Sequence, residues 1–517
     1  MAVARNSSSR LTDARGRQLA RGKDSGREQQ LFRHRALLAL ALVAALLTLL
    51  GARLAQLQLA RHAYFSTQSE NNRVRLEPLP PTRGLIFDRN GTLLAENLPS
   101  HRLEVTPELV DDLDRTLTEL GERVIIEEDD LARFRRLQRG RKPYSGVPLR
   151  FDLDQGELAR LAVELHRYPG VSIRADLTRH YPLGSLTAHV VGYVGRIDEN
   201  DLKRIDAGQY AGTNHIGKTG VERAREDRLH GRVGHQRVEI NAQGRVLRVL
   251  DSTPPEPGRN LYLGLDVDLQ RAARLALGDY SGAAVALDPR NGEVLALVSV
   301  PDYPPNPFVN GIDFATYRTL NTSPERPLFN RAIMGVYPPG STIKPMMALV
   351  GLAAGVVDRH STVYCPGYFE LPGRSRRFRD WRRGGHGRVA MTESIAESCD
   401  VYYYELALEL GIDRMHALLG QFGFGAPTGI DLVGERSGLL PSTEWKQRVH
   451  DQPWYAGETV IAGIGQGYML VTPLQLAHAT ATVAMQGQRI RPRLLHAAQI
   501  PGTGVAVTEP AQTLPAV

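Results

Sequence analysis

The sequence predicts an α+β protein in which a single N-terminal transmembrane helix precedes two folded regions. Three observations support this class: an uncharged apolar run over residues 36–52, a strand-rich region that ends near residue 253, and a new succession of strand, helix and hairpin from residue 259. The 517 residues allow about two to four domains with separate cores. Apolar and charged contents of 42% and 23% exclude wholesale disorder and coiled coil.

The positive charge of the chain is concentrated at its N-terminus. The formal net charge is +7, and residues 1–35 alone hold nine basic and three acidic side chains. The remaining residues are therefore nearly neutral, which disfavours a nucleic-acid-binding protein. Lysine is scarce, with six lysines against 57 arginines, so each lysine at a chemically special position invites an explanation.

The uncharged run at residues 36–52 is dominated by Leu and Ala. Its 17 residues span about 26 Å as a helix, the low end for a membrane crossing. With Leu54 and Leu57 added, a transmembrane helix is predicted over residues 36–57, after a basic cytoplasmic tail at residues 1–35. The positive-inside rule then exports the rest of the chain. A cleaved signal peptide and a buried core helix are the alternatives, and no small-x-small cleavage site follows the run.

The region over residues 58–253 is predicted to be rich in strands. Residues 88–91, Asp-Arg-Asn-Gly, lie between Leu85-Ile86-Phe87 and Thr92-Leu93-Leu94 and indicate a hairpin turn. Residues 113–139 and 155–167 are predicted helices with charged outer faces. Three prolines and a glycine over residues 254–258 can continue neither a helix nor a strand, and they predict a domain boundary.

The second domain is predicted over residues 259–517. Residues 260–266 are a predicted strand and residues 269–277 a predicted helix. The apolar runs 283–287 and 294–298 flank an Asn-Gly turn and predict a second hairpin. The long helical region that follows indicates a sheet with helices packed on it.

Ser341 and Lys344 are a candidate nucleophile and base. The Pro-Pro-Gly segment before Ser341 ends the preceding element, so we expect a helix to start at Ser341 and to place both side chains on one face. A serine hydroxyl needs a neighbouring base, and lysine can serve where arginine cannot lose its proton. A helix N-terminus favours a neutral lysine and a developing oxyanion. A capping serine beside a surface lysine is the alternative.

Residues 338–345, Pro-Pro-Gly-Ser-Thr-Ile-Lys-Pro, closely resemble the nucleophile motif of the penicillin-binding proteins. Residues 83–91 and 181–195 resemble the N-terminal pedestal domain of that family, and residues 463–475 resemble a late segment of its transpeptidase domain. The resemblance is closest to the elongation-specific class B members, which are peptidoglycan D,D-transpeptidases. It implies a single-pass bacterial inner-membrane protein with a periplasmic pedestal, or dimerisation-like, domain and a transpeptidase domain of the β-lactamase type.

The resemblance also implies the chemistry and the partners. Ser341 is expected to attack the D-Ala-D-Ala carbonyl of a peptidoglycan stem peptide with Lys344 as base, and an amine of a neighbouring stem then resolves the acyl-enzyme. β-Lactams are expected to acylate Ser341. The implied partners are the lipid-linked precursor, a membrane glycosyltransferase of the shape, elongation, division and sporulation type, and the rod-shape scaffold.

Ser398 and Asp400 stand where the family has its second motif, Ser-x-Asn, in a predicted helix over residues 394–410. The resemblance implies that Ser398 relays a proton between Lys344 and the reacting amine, and that Asp400 orients this network. A polar helix N-terminus without a catalytic role is the alternative.

The third family motif, Lys-Thr-Gly, is not found after Ser341. The sequence has this tripeptide only at Lys218, within the predicted pedestal, and no lysine follows Lys446. We therefore expect a chain that is truncated at its C-terminus and whose activity is open. A D-alanyl-D-alanine carboxypeptidase and an inactive β-lactam sensor or scaffold are the alternatives.

Cys365, Asp380, His386 and Cys399 form a candidate metal site within one 35-residue segment. Zinc prefers tetrahedral sites built from thiolate, imidazole and carboxylate. Some elongation-type relatives resemble this chain here and bind zinc from corresponding positions, so a structural zinc is implied. A disulfide and free thiols are the alternatives. The acyl-transfer chemistry itself requires no cofactor.

Overall fold

The computed structural model describes four stretches of the chain, residues 25–62, 73–139, 144–241 and 246–517. The predicted basic tail lies outside the described residues up to residue 24. The chain divides into two compact units, Met1–Glu77 with Gln236–Ser252 and Pro78–His235 with Thr253–Val517. The mixture of helices and strands confirms the predicted α+β class.

The helices and strands are numbered here in chain order. The α-helices are α1 (Ser25–Ala55), α2 (Leu113–Gly121), α3 (Glu128–Arg139), α4 (Gln155–Glu164), α5 (Ala188–Val191), α6 (Glu199–Leu202), α7 (Gly220–Ala224), α8 (Glu226–Leu229), α9 (Val267–Leu277), α10 (Phe314–Thr322), α11 (Arg331–Met334), α12 (Lys344–Ala353), α13 (Met391–Ala396), α14 (Asp400–Leu410), α15 (Ile412–Gln421), α16 (Thr443–His450), α17 (Ala456–Gly463) and α18 (Pro473–Ala484). The strands are β1 (Val74–Leu79), β2 (Ile86–Phe87), β3 (Leu93–Val105), β4 (Val147–Arg150), β5 (Val171–His180), β6 (Val194–Arg196), β7 (His215–Gly217), β8 (Gly234–Ile240), β9 (Val246–Thr253), β10 (Asn260–Leu263), β11 (Gly282–Leu287), β12 (Val294–Val300), β13 (Val363–Cys365), β14 (Tyr368–Glu370), β15 (Arg377–Arg379), β16 (Gly387–Val389), β17 (Arg489–Ile490), β18 (Leu495–Gln499), β19 (Ala506–Thr508) and β20 (Thr513–Leu514).

The first unit contains α1 and a three-stranded sheet with the strand order β1-β8-β9. Among the described residues, one helical stretch, Gln29–Leu59, is long and apolar enough to cross a membrane by length and composition. Most of its leucine side chains are exposed, as expected for a helix that meets lipid rather than protein. This stretch contains the predicted transmembrane run and extends it at both ends.

The second unit contains a sheet that joins strands from both sides of residues 254–258. Its strand order is β19-β18-β10-β2-β3-β4, with β5 also paired to β3. β10 lies parallel to β2, with Leu261 opposite Ile86, and antiparallel to β18. The predicted hairpin turn at residues 88–91 is confirmed, since β2 and β3 pair antiparallel and the Asp88 carboxylate accepts backbone N–H groups within the turn.

The predicted helices of the pedestal are confirmed with one correction. The segment over residues 113–139 is two helices, α2 and α3, rather than one. The connection between them buries Val124, and the backbone N–H of Ile125 donates to Glu157 of α4 at 3.0 Å, which a continuous helix would prevent. The predicted helix over residues 155–167 is confirmed as α4, with its last turn tightened to a 3-10 helix.

The second predicted hairpin is confirmed as β11 and β12, with Ala284 opposite Val298. Before it, α9 begins where the Asp266 carboxylate accepts two backbone N–H groups of its first turn. A separate core of helices α12, α14, α15 and α17 contains the fully buried Met347 and Tyr403. This helical core positions the candidate site.

Candidate active site

Ser341 lies on a short 3-10 turn, Gly340–Ile343, that leads into α12. The α-helix begins at Lys344 and not at Ser341 as predicted, because Gly340 has a φ of +58° and Thr342 donates its hydroxyl to the Pro339 carbonyl at 2.6 Å. Both features tighten the first turn. Ser341 is exposed, and its hydroxyl makes no hydrogen bond to any described residue, so it is open to a substrate.

The loop before Ser341 is fixed by a neighbouring segment, residues 465–471. The Gly340 N–H donates to the Gly465 carbonyl at 2.9 Å, and Tyr337 exchanges two backbone hydrogen bonds of 2.9 Å with Val471. A Cβ atom on Gly465 would come within 2.4 Å of the Gly340 carbonyl oxygen, so the close approach requires glycine there.

Lys344 is buried and lies at the centre of a polar cluster with Ser398 and Asp400. Its Nζ atom donates to Asp400 Oδ1 at 2.6 Å, to the Ser398 carbonyl at 2.9 Å and to Ser398 Oγ at 3.2 Å. Three acceptors use all three protons of an ammonium group. The structure thus brings three of the four predicted catalytic side chains into contact, and Ser341 lies one turn before Lys344.

Ser398 lies in a sharp turn between two helices. The prediction of one continuous helix over residues 394–410 was wrong: α13 ends at Ala396, α14 begins at Asp400, and Ser398 has a left-handed φ of +52°. Such a backbone costs roughly 1–3 kcal/mol for a residue with a side chain, so surrounding contacts must hold it. The Lys344 ammonium on the Ser398 carbonyl supplies one of them.

A second contact comes from Asp380, which accepts the backbone N–H of Asp400 at 2.7 Å and that of Val401 at 3.3 Å. Asp380 therefore caps α14 and fixes where the second helix begins. Although burial opposes it, these backbone donors and that of Arg382 lower the pKa of the Asp380 carboxyl, so it stays ionised.

The four predicted metal ligands lie together. One ligand atom from each of Cys365, Asp380, His386 and Cys399 lies within 4.8 Å of the others. Cys365 Sγ is 3.6 Å from both Asp380 Oδ2 and His386 Nδ1. Both thiols are free, and burial raises the pKa of the Cys399 thiol to about 12. Two sulfurs, an imidazole nitrogen and a carboxylate oxygen are a donor set that fits zinc.

The Lys-Thr-Gly tripeptide of the pedestal is engaged elsewhere. Lys218 Nζ pairs with Asp198 at 2.8 Å and with Asp201. Its ammonium group is therefore paired with two carboxylates of the same domain, which is typical of a lysine with a structural role.

One contact of the site was not predicted from the sequence. Lys344 Nζ lies 5.4 Å from the centroid of the Tyr403 ring, and Tyr403 is fully buried in α14. In the sequence, the three consecutive tyrosines at residues 402–404 were the feature that could have predicted an aromatic ring near Lys344. A cation over an aromatic ring favours the charged lysine and keeps its chain in place.

Comparison with known families gives two matches. The "Penicillin binding protein transpeptidase domain" matches residues 282–513, and the "Penicillin-binding Protein dimerisation domain" matches residues 78–263. Among curated relatives, the peptidoglycan D,D-transpeptidase MrdA of Acinetobacter baumannii is 46% identical over 476 residues, covering 92% of this chain and 71% of the relative. MrdA of Escherichia coli K12 is 43% identical, covering 94% and 78%.

Two solved structures are similar as well. Penicillin-binding protein PBP2 of Helicobacter pylori in complex with MreC aligns with a TM-score of 0.75 at 30% identity, covering 85% of this chain and 81% of that one. A chain from a peptidoglycan synthase complex that coordinates polymerization and crosslinking aligns with a TM-score of 0.66 at 31% identity, covering 93% and 82%.

Proposed function

This chain belongs to the penicillin-binding protein family, and from that premise we propose that it is a peptidoglycan D,D-transpeptidase that works through an acyl-enzyme on Ser341. The observation that carries the proposal is the contact of Lys344 with Ser398 and Asp400 directly after an exposed Ser341. The cluster combines a nucleophile, a buried base and a relay hydroxyl, which are the groups that acyl transfer needs.

In the first step Lys344 must give up a proton, because an ammonium with three donated hydrogen bonds has no lone pair to act as base. Asp400 Oδ1 at 2.6 Å is the nearest acceptor. The amine then takes the proton of the Ser341 hydroxyl while Ser341 Oγ bonds to the penultimate D-Ala carbonyl carbon. The peptide C–N bond breaks, and the leaving D-Ala amine takes a proton through the Ser398 hydroxyl.

The second step reverses these proton movements. An amine of a neighbouring stem peptide attacks the acyl carbonyl, its proton passes through Ser398 to Lys344, and the Ser341 oxygen leaves as a hydroxyl. Ser398 suits this relay because its Oγ is 3.2 Å from Lys344 Nζ and its strained turn directs the hydroxyl toward the site. With water in place of the amine the same cycle is a carboxypeptidase reaction.

A structural zinc bound by Cys365, Asp380, His386 and Cys399 is part of this proposal. When bound, the metal would supply a closed tetrahedral crosslink and no chemistry of its own. The chain's own residues support such a role: Asp380 already caps α14, and Cys399 lies between Ser398 and Asp400. His386 Nδ1 faces the cluster and lies 3.6 Å from Cys365 Sγ. The other ring nitrogen, Nε2, is buried and has no hydrogen-bond partner among the described residues.

The chain is a single-pass membrane protein that takes part in cell-wall synthesis. We propose that its N-terminus is cytoplasmic and its folded units periplasmic, since the basic residues of the tail precede the apolar helix. The relatives solved with MreC and within a synthase complex support a rod-shape scaffold and a membrane glycosyltransferase as partners.

Turnover of a synthetic stem pentapeptide tests the activity. We expect D-Ala release together with a peptide dimer when an acceptor amine is supplied, and loss of both products in Ser341→Ala. Thr342→Ser is the matched control, because it keeps the hydroxyl that bonds to Pro339 and should retain turnover. D-Ala release without dimer would identify a carboxypeptidase, and no turnover by a folded wild-type chain would refute the proposal.

A further inference from the structure

Lys446 is a buried lysine that the acyl-transfer chemistry does not use. Its side chain is 1% exposed, and its Nζ atom pairs with Glu458. The rings of Tyr455, Trp454 and Tyr468 surround the ammonium, with centroids at 4.5, 5.7 and 5.9 Å. A compact ammonium fits this cage, whereas a planar guanidinium with five donors would leave N–H groups unbonded. The rarity of lysine in this chain makes the choice informative.

Glu458 links the cage to α17. One of its carboxylate oxygens pairs with Lys446, and the other accepts the backbone N–H of Tyr455 at 2.9 Å, which completes the N-terminal cap of α17. At its other end, α17 packs closely on α14: a Cβ atom on Gly463 would lie 2.4 Å from Ala407 Cβ. The Lys446 ion pair therefore fixes a helix that contacts the helix of the second motif.

Tyr468 links the same cage to the nucleophile. Its ring lies 5.1 Å from the Trp445 ring, 5.4 Å from that of His450 and 6.1 Å from that of Trp454, so three aromatic side chains pack around it. Tyr468 belongs to the segment of residues 465–471 whose backbone bonds hold the loop before Ser341. Because the Tyr468 ring is packed among these side chains, it limits the movement of residues 465–471.

We propose that Lys446 is a positioning residue for the reaction at Ser341. The Lys446–Glu458 pair and its aromatic rings hold residues 465–471 on one side and α17 on the other. Through them, the turn that carries Ser341 is held in register with α14, which carries Asp400. The expected effect on the acylation rate rests on the proposed transpeptidase function. The expected effect on the position of the Ser341 turn rests on the contacts alone.

The test uses the double variant Lys446→Met with Glu458→Gln in the full chain, because a neutral pair of similar volume leaves no unpaired buried charge. Lys203→Met, at an exposed lysine, is the control. We expect the double variant to be folded, with non-covalent affinity for a fluorescent penicillin within about twofold of wild type and an acylation rate constant lower by roughly tenfold or more, as misplacement of a reacting group produces.

Hydrogen–deuterium exchange gives a readout that does not depend on activity. We expect faster exchange at residues 337–343 in the double variant, while strands β3 and β5 exchange as in wild type. Unchanged exchange at residues 337–343, or an acylation rate within twofold of wild type in a folded variant, would overturn the inference. If the wild-type chain is not acylated at all, the proposed function fails, and the exchange measurement still decides the positioning role.

Discussion

The substitution Asp400→Asn separates the charge of the second motif from its shape. Asp400 Oδ1 lies 2.6 Å from Lys344 Nζ, and the two side chains are 13% and 1% exposed. Breaking a buried ion pair costs about 3–5 kcal/mol. An amide oxygen at the same position keeps one hydrogen bond to a charged donor, worth about 1.5–3 kcal/mol. The substitution should therefore destabilise the folded chain by about 1.5–2 kcal/mol, the difference between these two costs at their lower and upper ends.

The effect on catalysis follows from the proton that Lys344 must release before it can act as a base. An amide cannot accept that proton as the Asp400 carboxylate does. We expect the acylation rate constant of Asp400→Asn to fall by roughly a hundredfold, the lower end of what a positioned proton acceptor contributes.

The assay is the second-order rate constant for a fluorescent penicillin, measured on the folded chain. Glu397→Gln is the matched control: this neighbouring carboxylate is exposed and pairs with Arg382 at 3.8 Å. Its rate constant should equal that of wild type. A rate constant within about twofold of wild type in folded Asp400→Asn would refute the proton path through Lys344 and Asp400.

Three further predictions concern the metal site and stability. Cys365→Ser should lower the zinc content of the purified chain from near one equivalent, measured by elemental analysis; a wild-type chain free of metal would remove the zinc proposal. Burial lowers the pKa of His189 to about 4, so the unfolded state binds the extra proton and stability should fall between about pH 6.5 and pH 4, by up to about 1.4 kcal/mol per pH unit. His189→Gln should flatten this dependence in denaturant titrations, and an unaltered slope would contradict it. Glu222→Gln should destabilise the chain by about 3 kcal/mol or more, because Glu222 is fully buried and bonds Arg83 and Arg179 at 2.7 Å each; a loss below about 1 kcal/mol in urea unfolding would contradict this.

Features of the fold that depend on neighbouring residues were predictable from the sequence. The turn at residues 88–91 is an example, since an Asp side chain that bonds its own turn and an Asn-Gly pair are sufficient to specify a hairpin. The hairpin of β11 and β12 follows from the same local chemistry. The long apolar helix was also predictable from local sequence, because few structures other than a helix accommodate an uncharged apolar run of that length.

Features that depend on distant residues were not predictable. The break at Ser398 arises because Asp380, 20 positions before Asp400, caps a new helix and because Lys344 holds the Ser398 carbonyl. Residues 394–410 contain neither proline nor glycine, and the polar residues Ser398 and Asp400 alone suggested a helix N-terminus there.

The candidate site shows the same division. The types and order of Ser341, Lys344, Ser398 and Asp400 were recognisable as motifs. The cage around Lys446 was not, since Trp454 and Tyr455 lie in the loop before α17 and Tyr468 lies in the segment beside the nucleophile. Only the packing brings these rings to the Lys446 ammonium.

Peptide mapping by mass spectrometry tests whether Ser341 is the residue that becomes acylated. After incubation with a β-lactam, we expect one adduct, on the peptide that contains Ser341, and no adduct in Ser341→Ala. An adduct on Ser398 or on another residue, or an unmodified and folded wild-type chain, would contradict this expectation.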